Sequence, residues 1–508
     1  MQYLLGVDIG TSGTKTVLFD ETGNRIASAA REYPLYQPQN GWAEQEPEDW
    51  WRAAVDTIRE VVSRSGVHAS DIKGVGLSGQ MHGLVMLNAR GEVLRRSILW
   101  CDGRTAAECA EITEKVGKEM LIAITANPAL TGFTAGKVLW VRKHEPELYQ
   151  ECRMMLLPKD YIRYRLTGVY ATEASDAAGT NLLDVPKRRW SEEVLSILDI
   201  DGALLPKVYE SPDVTGHITK EVATLTGLVE GTPVVGGAGD NAAAAVGTGV
   251  VKEGRAFLTI GTSGVIFAHA DSVRIDPGGR VHTFCHAVPG CYTVLSCTLS
   301  AGLSLKWFRD QFFTAEMETA AGMGVDPYEL MNAQAVRVPI GSNRLLYLPY
   351  LMGERSPILD PDARGAFIGL SAIHTKYDML RAVLEGVSYS QRECLDVLHG
   401  MGIVPRELLA TGGGARSALW RQMLSDVLNC PVATVASSGE GPALGAALLA
   451  GVGAGVYKSV PEACDAVIRL NPLQQPDEAS VKAYAPYYAL YQTVYPSLKA
   501  QYAALASL

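Results

Sequence analysis

At 508 residues, with 47% apolar and 20% charged side chains, the chain is long enough for two or more domains with large buried cores, and its composition excludes a disordered or fibrous protein. A net charge of −10 argues against nucleic acid or an anionic membrane surface as a general partner, so an anionic ligand must be held by local donors or through a cation. Nine cysteines, without a C-x-x-C, read as reduced thiols and not as a disulfide frame; Cys285, Cys291 and Cys297 are evenly spaced, but no dense Cys/His grouping suggests structural zinc.

The chain opens on LLGVDIGTSGTKTVLFD, residues 4–20. Lys15-Thr16 resembles the end of a Walker loop, but Thr14 stands where that loop needs glycine. After Gly13 the residues are β-branched and apolar, stop at the turn-forming stretch Asp20–Asn24, and resume at Arg25-Ile26. That pattern predicts strand, turn, strand. A glycine tip between strands is either an ordinary turn or a nest of backbone N–H groups for an anion. The start lacks basic residues and Asp8 interrupts its apolar run, so no leader is expected. The Ala/Gly/Leu run from Pro442 falls short of the roughly 20 residues a bilayer span needs. A cytoplasmic protein with no membrane partner is expected.

Next, PEDWWRAAVDTIREVVSRSG predicts a core helix, with Trp51, Ala54, Val55, Ile58, Val61 and Val62 at helical spacing after Pro47. IKGVGLSGQMHG reads as a buried strand through Val75 and Leu77, ending in Gln80, Met81 and His82. VLRRSILWCDGRT reads as another strand, ending in Trp100, Asp102 and Arg104. Polar strand ends alternating with helices describe an α/β domain with its ligand at one sheet edge. TPVVGGAGDNAAAAVGTG gives a strand, a glycine turn and an Ala-rich helix opened by Asp240-Asn241. Asp240 is either a helix cap or a carboxylate aimed at a ligand; the small residues around it favour the second.

The pentamer IGTSG returns at Ile260–Gly264, about half a chain length after Ile9–Gly13 and again between apolar runs. Such a repeat predicts two similar domains, here placed at 1–245 and 246–508, gripping one polyphosphate in the cleft between them. Thr259 of the second copy replaces Asp8 of the first, which marks Asp8 as a residue for water-mediated Mg²⁺ binding; a turn-forming Asp is the alternative. LLATGGGARSALWRQMLSDV predicts strand, triple glycine and helix, with Gly412–Gly414 leaving room for a flat ring; the spacing is not that of a Rossmann dinucleotide site. GEGPALGAALLAG predicts a small-residue helix suited to close crossing of another helix at a hinge. Tyr484, Tyr487, Tyr488, Tyr491, Tyr495 and Tyr502 predict a C-terminal docking helix.

In order, these motifs resemble the FGGY carbohydrate-kinase family, over essentially the whole chain. DIGTSGTK and LTIGTSG resemble its two phosphate motifs, ATGGGARSALWRQMLSDV its adenosine motif, and GDNAAAAVGTG with GPALGAALLAG its paired connecting helices. GFTAGKVLWVRKH and GAFIGLSAIHTKYDMLRAVLEG resemble the two family signatures. LSGQMHGLVML, SILWCDGRT, LLPKDYIRYRLTG and SDAAGTNLLDV are most similar to the branch that phosphorylates D-xylulose. The resemblance implies an α/β fold of two actin/hexokinase-like (ribonuclease H-like) domains, ATP with Mg²⁺, and a small-molecule sugar as acceptor.

It further implies Asp240 as general base and, with Asp8, the metal-holding carboxylates. Gln80, Met81, His82, Trp100, Asp102 and Asn241 would surround the sugar. Thr11, Ser12, Lys15, Gly261 and Thr262 would hold the phosphates, and Gly413 with Gly414 the adenosine. Cys101 departs from the Asn common before the Asp of W-x-D-G-R in that branch, which removes an amide near the sugar. Ribulose, L-xylulose, fuculose or gluconate remain alternative acceptors, a non-catalytic ATP-dependent sugar sensor remains an alternative class, and a homodimer is left open.

Overall fold

The run from Tyr3 folds as three antiparallel strands, β1 (Tyr3–Ile9), β2 (Gly13–Asp20) and β3 (Arg25–Glu32). They belong to a computed structural model that describes residues 1–436 and 440–508. Asp8 stands opposite Lys15 and Ile9 opposite Thr14. The glycines therefore join strands, as their β-branched sequel predicts, and no helix follows them as a Walker loop requires. α1 (Pro47–Arg64) starts on its proline and buries Trp50, Trp51, Ala54, Val55, Ile58 and Val61 against β2 and β3.

β4 (Ile72–Gly79) lies parallel to β1 on its other side and sets Ser78 opposite Asp8. The strand predicted from VLRRSILW shrinks to Ser97–Ile98, because Arg95 is drawn out of the run by Glu44 and Glu145 at 2.7 and 2.6 Å. α2 (Thr134–His144) covers the first family signature. β5 (Val214–His217) and β6 (Pro233–Val235) complete the sheet in the order β5-β6-β4-β1-β2-β3, and β7 (Ala238–Gly239) pairs with the end of β4. α3 (Asp240–Thr248) follows directly.

Packing divides the chain into two units. The first holds residues 1–252, 269–293 and a return segment ending at Ile468; the second holds residues 253–268, a long stretch from Val294 and Arg469–Leu508. In the second, β8 (Arg255–Ile260) pairs antiparallel with β9 (Gly264–Ala270), whose last two residues count with the first, and Ile260 stands opposite Gly264. β10 (Glu407–Thr411) lies parallel to β8, and β11 (Val432–Ala433) parallel to β10. β8, β9 and β10 are thus paired as β1, β2 and β4 are, so the repeated pentamer marks a repeated topology.

α4 (Gly302–Phe312), α5 (Lys376–Gly400) and α6 (Ala418–Leu428) also belong to the second unit. The chain then returns to the first with α7 (Gly441–Gly453). Gly445 of α7 lies against Ala243 O, and Gly247 of α3 against Gly441 O; Gly6 and Gly76 let α7 rest directly on β1 and β4. A Cβ at any of these four glycines would collide with a backbone carbonyl. Gly439, the first residue of the predicted small-residue run, lies outside the described residues. α8 (Glu478–Ala506) docks on α6, and three of its phenols are hydrogen-bonded there: Tyr484 accepts from Arg381 at 2.9 Å, and Tyr488 and Tyr495 donate to Asp396 and Asp360 at 2.6 Å. Among the described residues no helix is long and apolar enough to cross a membrane.

Candidate active site

In the first unit the site residues converge around the β1–β2 tip. Gly10 N–H closes the tip on Gly13 O at 3.0 Å, and the Tyr33 hydroxyl donates to Gly10 O. Thr11 is held from two sides: its hydroxyl accepts from Trp100 Nε1 at 3.0 Å and donates to Gln80 Oε1 at 3.3 Å. Gln45, which no sequence motif singles out, accepts from Trp50 Nε1 and Gln80 Nε2 and donates to Thr11 O at 2.7 Å. Trp100 stays 47% exposed and Ser12 is exposed, so both can meet a ligand. Lys15 does not stand free; its Nζ lies 2.6 Å from Glu440, which also pairs with Arg25 at 3.1 Å.

Asp8 and Asp240 form the acidic element. Asp8 Oδ1 is buried without a hydrogen-bond partner among the described residues. Burial pushes its carboxyl up, with the neighbouring Ser78 hydroxyl and the Lys15 ammonium pulling the other way. Asp240 is the first residue of α3, and Gly239 holds the cap position before it. Its Oδ1 accepts the Asn241 N–H at 2.7 Å and Asn241 Nδ2 at 3.0 Å. Burial, then the charge of Asp8, raise Asp240 to about 7, only partly offset by the Asn241 N–H. Two carboxylates within each other's field and one orphaned oxygen make an all-oxygen donor set that suits a hard cation such as Mg²⁺.

Met81 and His82 follow β4 into this region. Met81 packs on Gly239, where a Cβ would stand 2.8 Å from Met81 Cγ. His82 adopts φ 68°, its Nδ1 lies 2.8 Å from Gly179 O, and its ring centroid is 4.8 Å from that of Phe133. The family signature on α2 holds the same turn: Lys137 Nζ donates to His82 O and Gly132 O at 2.7 Å, and Thr134 Oγ1 donates to His82 O at 3.1 Å. Lys137 is fully buried, and burial brings it down to about 7.

Two of the expected sugar contacts carry other bonds in this structure. The Asp102 side chain is buried, with Arg104 at 2.7–2.9 Å and Ala43 N–H at 2.6 Å. Gln80 is likewise buried with its amide committed to Gln45 and Thr11, so it braces the tip. Cys101, between Trp100 and Asp102, is exposed.

Sequence reasoning also misses a buried ionic cluster behind Asp240. Lys159 reaches Asp160 at 2.7 Å and Glu173 and Asp176 at 3.4 Å. Glu173 accepts from the backbone N–H groups of Ser175 and Asp176, and Ser175 Oγ accepts the Gly239 N–H at 3.2 Å. The signal for it is Lys159-Asp160 in the first turn of a proline-initiated helix that directly follows the apolar run Met154–Leu157.

In the second unit, Gly261 N–H closes the β8–β9 tip on Ser263 O at 3.0 Å. The tip carbonyls are held by the start of α4: Gly302 N–H donates to Gly261 O at 2.7 Å, and Ala301 and Leu303 N–H to Thr262 O at 3.0 and 3.1 Å. The glycines after β10 lie against the root of this hairpin. A Cβ at Gly412 would stand 2.6 Å from Ile260 O, and Gly414 packs on Ile260 and Trp420. Gly413 has open space where a side chain would be. Gly413 thus presents a bare backbone face, while Gly414 is small for packing.

Residues 3–247 match the N-terminal domain, and residues 256–454 the C-terminal domain, of the FGGY family of carbohydrate kinases. The chain is similar to the xylulose kinase of Bacillus subtilis (strain 168), 40% identical over 507 residues, covering 100% of this chain and 99% of that relative. It is also 40% identical to the xylulose kinase of Escherichia coli (strain K12), over 97% of this chain and 99% of that one. Among solved structures, xylulose kinase from Rhodospirillum rubrum aligns with a TM-score of 0.91 at 31% identity, covering 99% of this chain and 100% of that chain.

Proposed function

This chain belongs to the FGGY family of carbohydrate kinases, ATP-dependent sugar kinases of two actin/hexokinase-like α/β domains, and on that premise we propose that it transfers the γ-phosphoryl group of ATP to the terminal hydroxyl of D-xylulose, forming D-xylulose 5-phosphate. The observation that carries the reading is Asp240 at the start of α3, raised to about 7, with Met81 packed on the residue before it.

Asp240 accepts the proton of the attacking hydroxyl, and a carboxylate of raised pKa is the better base for that step. Met81, His82, Trp100 and Asn241 would line the acceptor, with Gln80 and Asp102 bracing the loops that carry them. Phosphoryl transfer spreads charge over a loose transition state, so the protein works by positioning and electrostatics. Mg²⁺, when bound, neutralises phosphate charge there. Asp8 and Asp240 would hold it; the orphaned Asp8 oxygen supports that assignment.

Lys15 would exchange Glu440 for phosphate. Thr11, Ser12, Gly261 and Thr262 would bind the triphosphate from the two hairpin tips, and Gly413 would face the adenosine. In this reading residues 1–245 supply the sugar site and first tip, residues 246–508 the second tip and adenosine site, and closure of the cleft excludes water. The enzyme is assigned to the cytoplasm, without nucleic-acid or membrane partners, and a homodimer is compatible with it.

A panel of D-xylulose, D-ribulose, L-xylulose, L-fuculose and gluconate, read by coupled ADP formation, tests the acceptor. D-xylulose is expected to lead in kcat/KM by about tenfold or more. Turnover of another acceptor at equal or higher efficiency would contradict the assignment.

A further inference from the structure

The kinase reading leaves unused the residues where β9 ends. His269 lies near the end of that strand, Asp271 just beyond it, and Cys291 in the turn before the strand Tyr292–Thr298. One donor atom from each, an imidazole nitrogen, a carboxylate oxygen and the Cys291 sulfur, all lie within 4.8 Å of one another. His269 is buried, Cys291 half-buried and the Asp271 side chain 61% exposed, so the trio is rooted in the interior and reached from solvent. All three belong to the first unit.

The surroundings hold these donors in place. His269 Nε2 lies 2.8 Å from Asp271 Oδ1. The His269 ring stands at a steep angle to His286, 4.9 Å between centroids. His286 Nδ1 accepts the Val288 N–H at 3.0 Å, which leaves Nε2 to donate to Val250 O at 2.9 Å. Cys291 is tied through its backbone: its N–H donates to Val288 O at 3.1 Å, and its carbonyl accepts from His286 N–H at 2.9 Å and Arg188 Nη1 at 2.8 Å. Arg188 is a nearby cation, but both oxygens of Glu210 take its guanidinium at 2.7 and 2.6 Å, which offsets its charge.

The donor set decides the ion. Mg²⁺ and Ca²⁺ take oxygen ligands, whereas a thiolate with an imidazole and a carboxylate suits zinc. One thiolate and one carboxylate balance a divalent charge. Tetrahedral zinc bonds of about 2.0–2.3 Å set the donors about 3.3–3.7 Å apart, so His269 and Asp271 part slightly from their 2.8 Å contact as the exposed Asp271 side chain turns to share the ion with Cys291. We propose that His269, Asp271 and Cys291 form a zinc site, with water as fourth ligand, that clamps the end of β9 to the turn before Tyr292. The evenly spaced cysteines give no hint of it, because the partners of Cys291 are not cysteines and lie about twenty residues away in the chain.

The test uses full-length protein stripped with a chelator and titrated with Co²⁺ without nucleotide. The expected result is one Co²⁺ per chain with a thiolate-to-cobalt charge-transfer band, displaced by one equivalent of Zn²⁺. Cys291→Ser removes the band. Asp271→Ala, at an exposed position, weakens Co²⁺ binding by about tenfold or more. Asp240→Asn leaves the band intact, since an oxygen-only site produces none. Absence of the band in the unaltered protein, its survival in Cys291→Ser, or unchanged affinity in Asp271→Ala overturns the proposal.

Discussion

The two glycine hairpins carry the same five residues, Ile9–Gly13 and Ile260–Gly264, and face different chemistry. In the first, Asp8 stands opposite Ser78 of the parallel strand β4; in the second, its counterpart Thr259 stands opposite Thr411 of β10, their hydroxyls 2.7 Å apart. The first tip is braced through the Thr11 hydroxyl by Trp100 and Gln80, the second through its carbonyls by the start of α4. Backbone amides recognise an anion without help from side chains, so a hairpin can be copied whole. A carboxylate that holds a cation cannot be copied so freely, because an uncompensated one beside a phosphate repels it. In the proposed function the repeated backbone would supply phosphate binding twice, and the flanking side chains would reserve cation and acceptor chemistry for the first copy.

That contrast can be broken at named positions. Asp240→Ala removes the proposed base from the first unit and is expected to lower kcat by about 10²–10⁴-fold with ATP affinity by calorimetry largely unchanged; near-normal turnover would remove Asp240 from the chemistry. Asp8→Thr makes the first hairpin resemble the second. It is expected to lower activity at limiting Mg²⁺ by about 10–100-fold, with partial recovery at high Mg²⁺. The reverse change, Thr259→Asp, puts a carboxylate where no cation is needed and breaks the hydroxyl pair with Thr411. Its expected cost, read by denaturant unfolding, is about 1–3 kcal/mol.

The smallest effect is pH dependence. As the proposed base Asp240 must be ionised to act, and its pKa is raised to about 7, so kcat/KM should fall as pH drops through about 7. A bound cation favours the ionised form, so saturating Mg²⁺ should move the midpoint lower. The same shift has a stability sign. Because Asp240 in the fold holds its proton to higher pH than in the unfolded chain, the ligand-free protein gains stability from it as pH falls from about 7 toward 4, and Asp240→Asn should remove that gain.

Much of this architecture is legible in the amino-acid order alone. The β-branched sequel to Gly13 separates a hairpin from a Walker loop, and the spacing of Trp51, Ala54, Ile58 and Val61 locates α1. Asp240, Met81 and His82 are placed by their strand and helix ends, and α7 by its small residues. Side-chain direction is not legible. Asp102 sits in a motif that reads as pocket-lining, yet its carboxylate turns inward to Arg104 and Ala43, which no local periodicity reports. Gln45 and Glu440 escape notice because their partners, Gln80, Thr11 and Lys15, are distant in the chain. The packing of α7 on β1 and β4 is recorded only in Gly6 and Gly76, whose bareness has meaning once the helix above them is known.

The proposed function has both tips hold one nucleotide, and hydrogen–deuterium exchange on the intact protein with Mg²⁺ and a non-hydrolysable ATP analogue tests that most directly. Amide exchange at Gly10–Ser12 and at Gly261–Ser263 should slow together, with the same midpoint in analogue concentration. Protection of one tip while the other exchanges unchanged at saturation would contradict it.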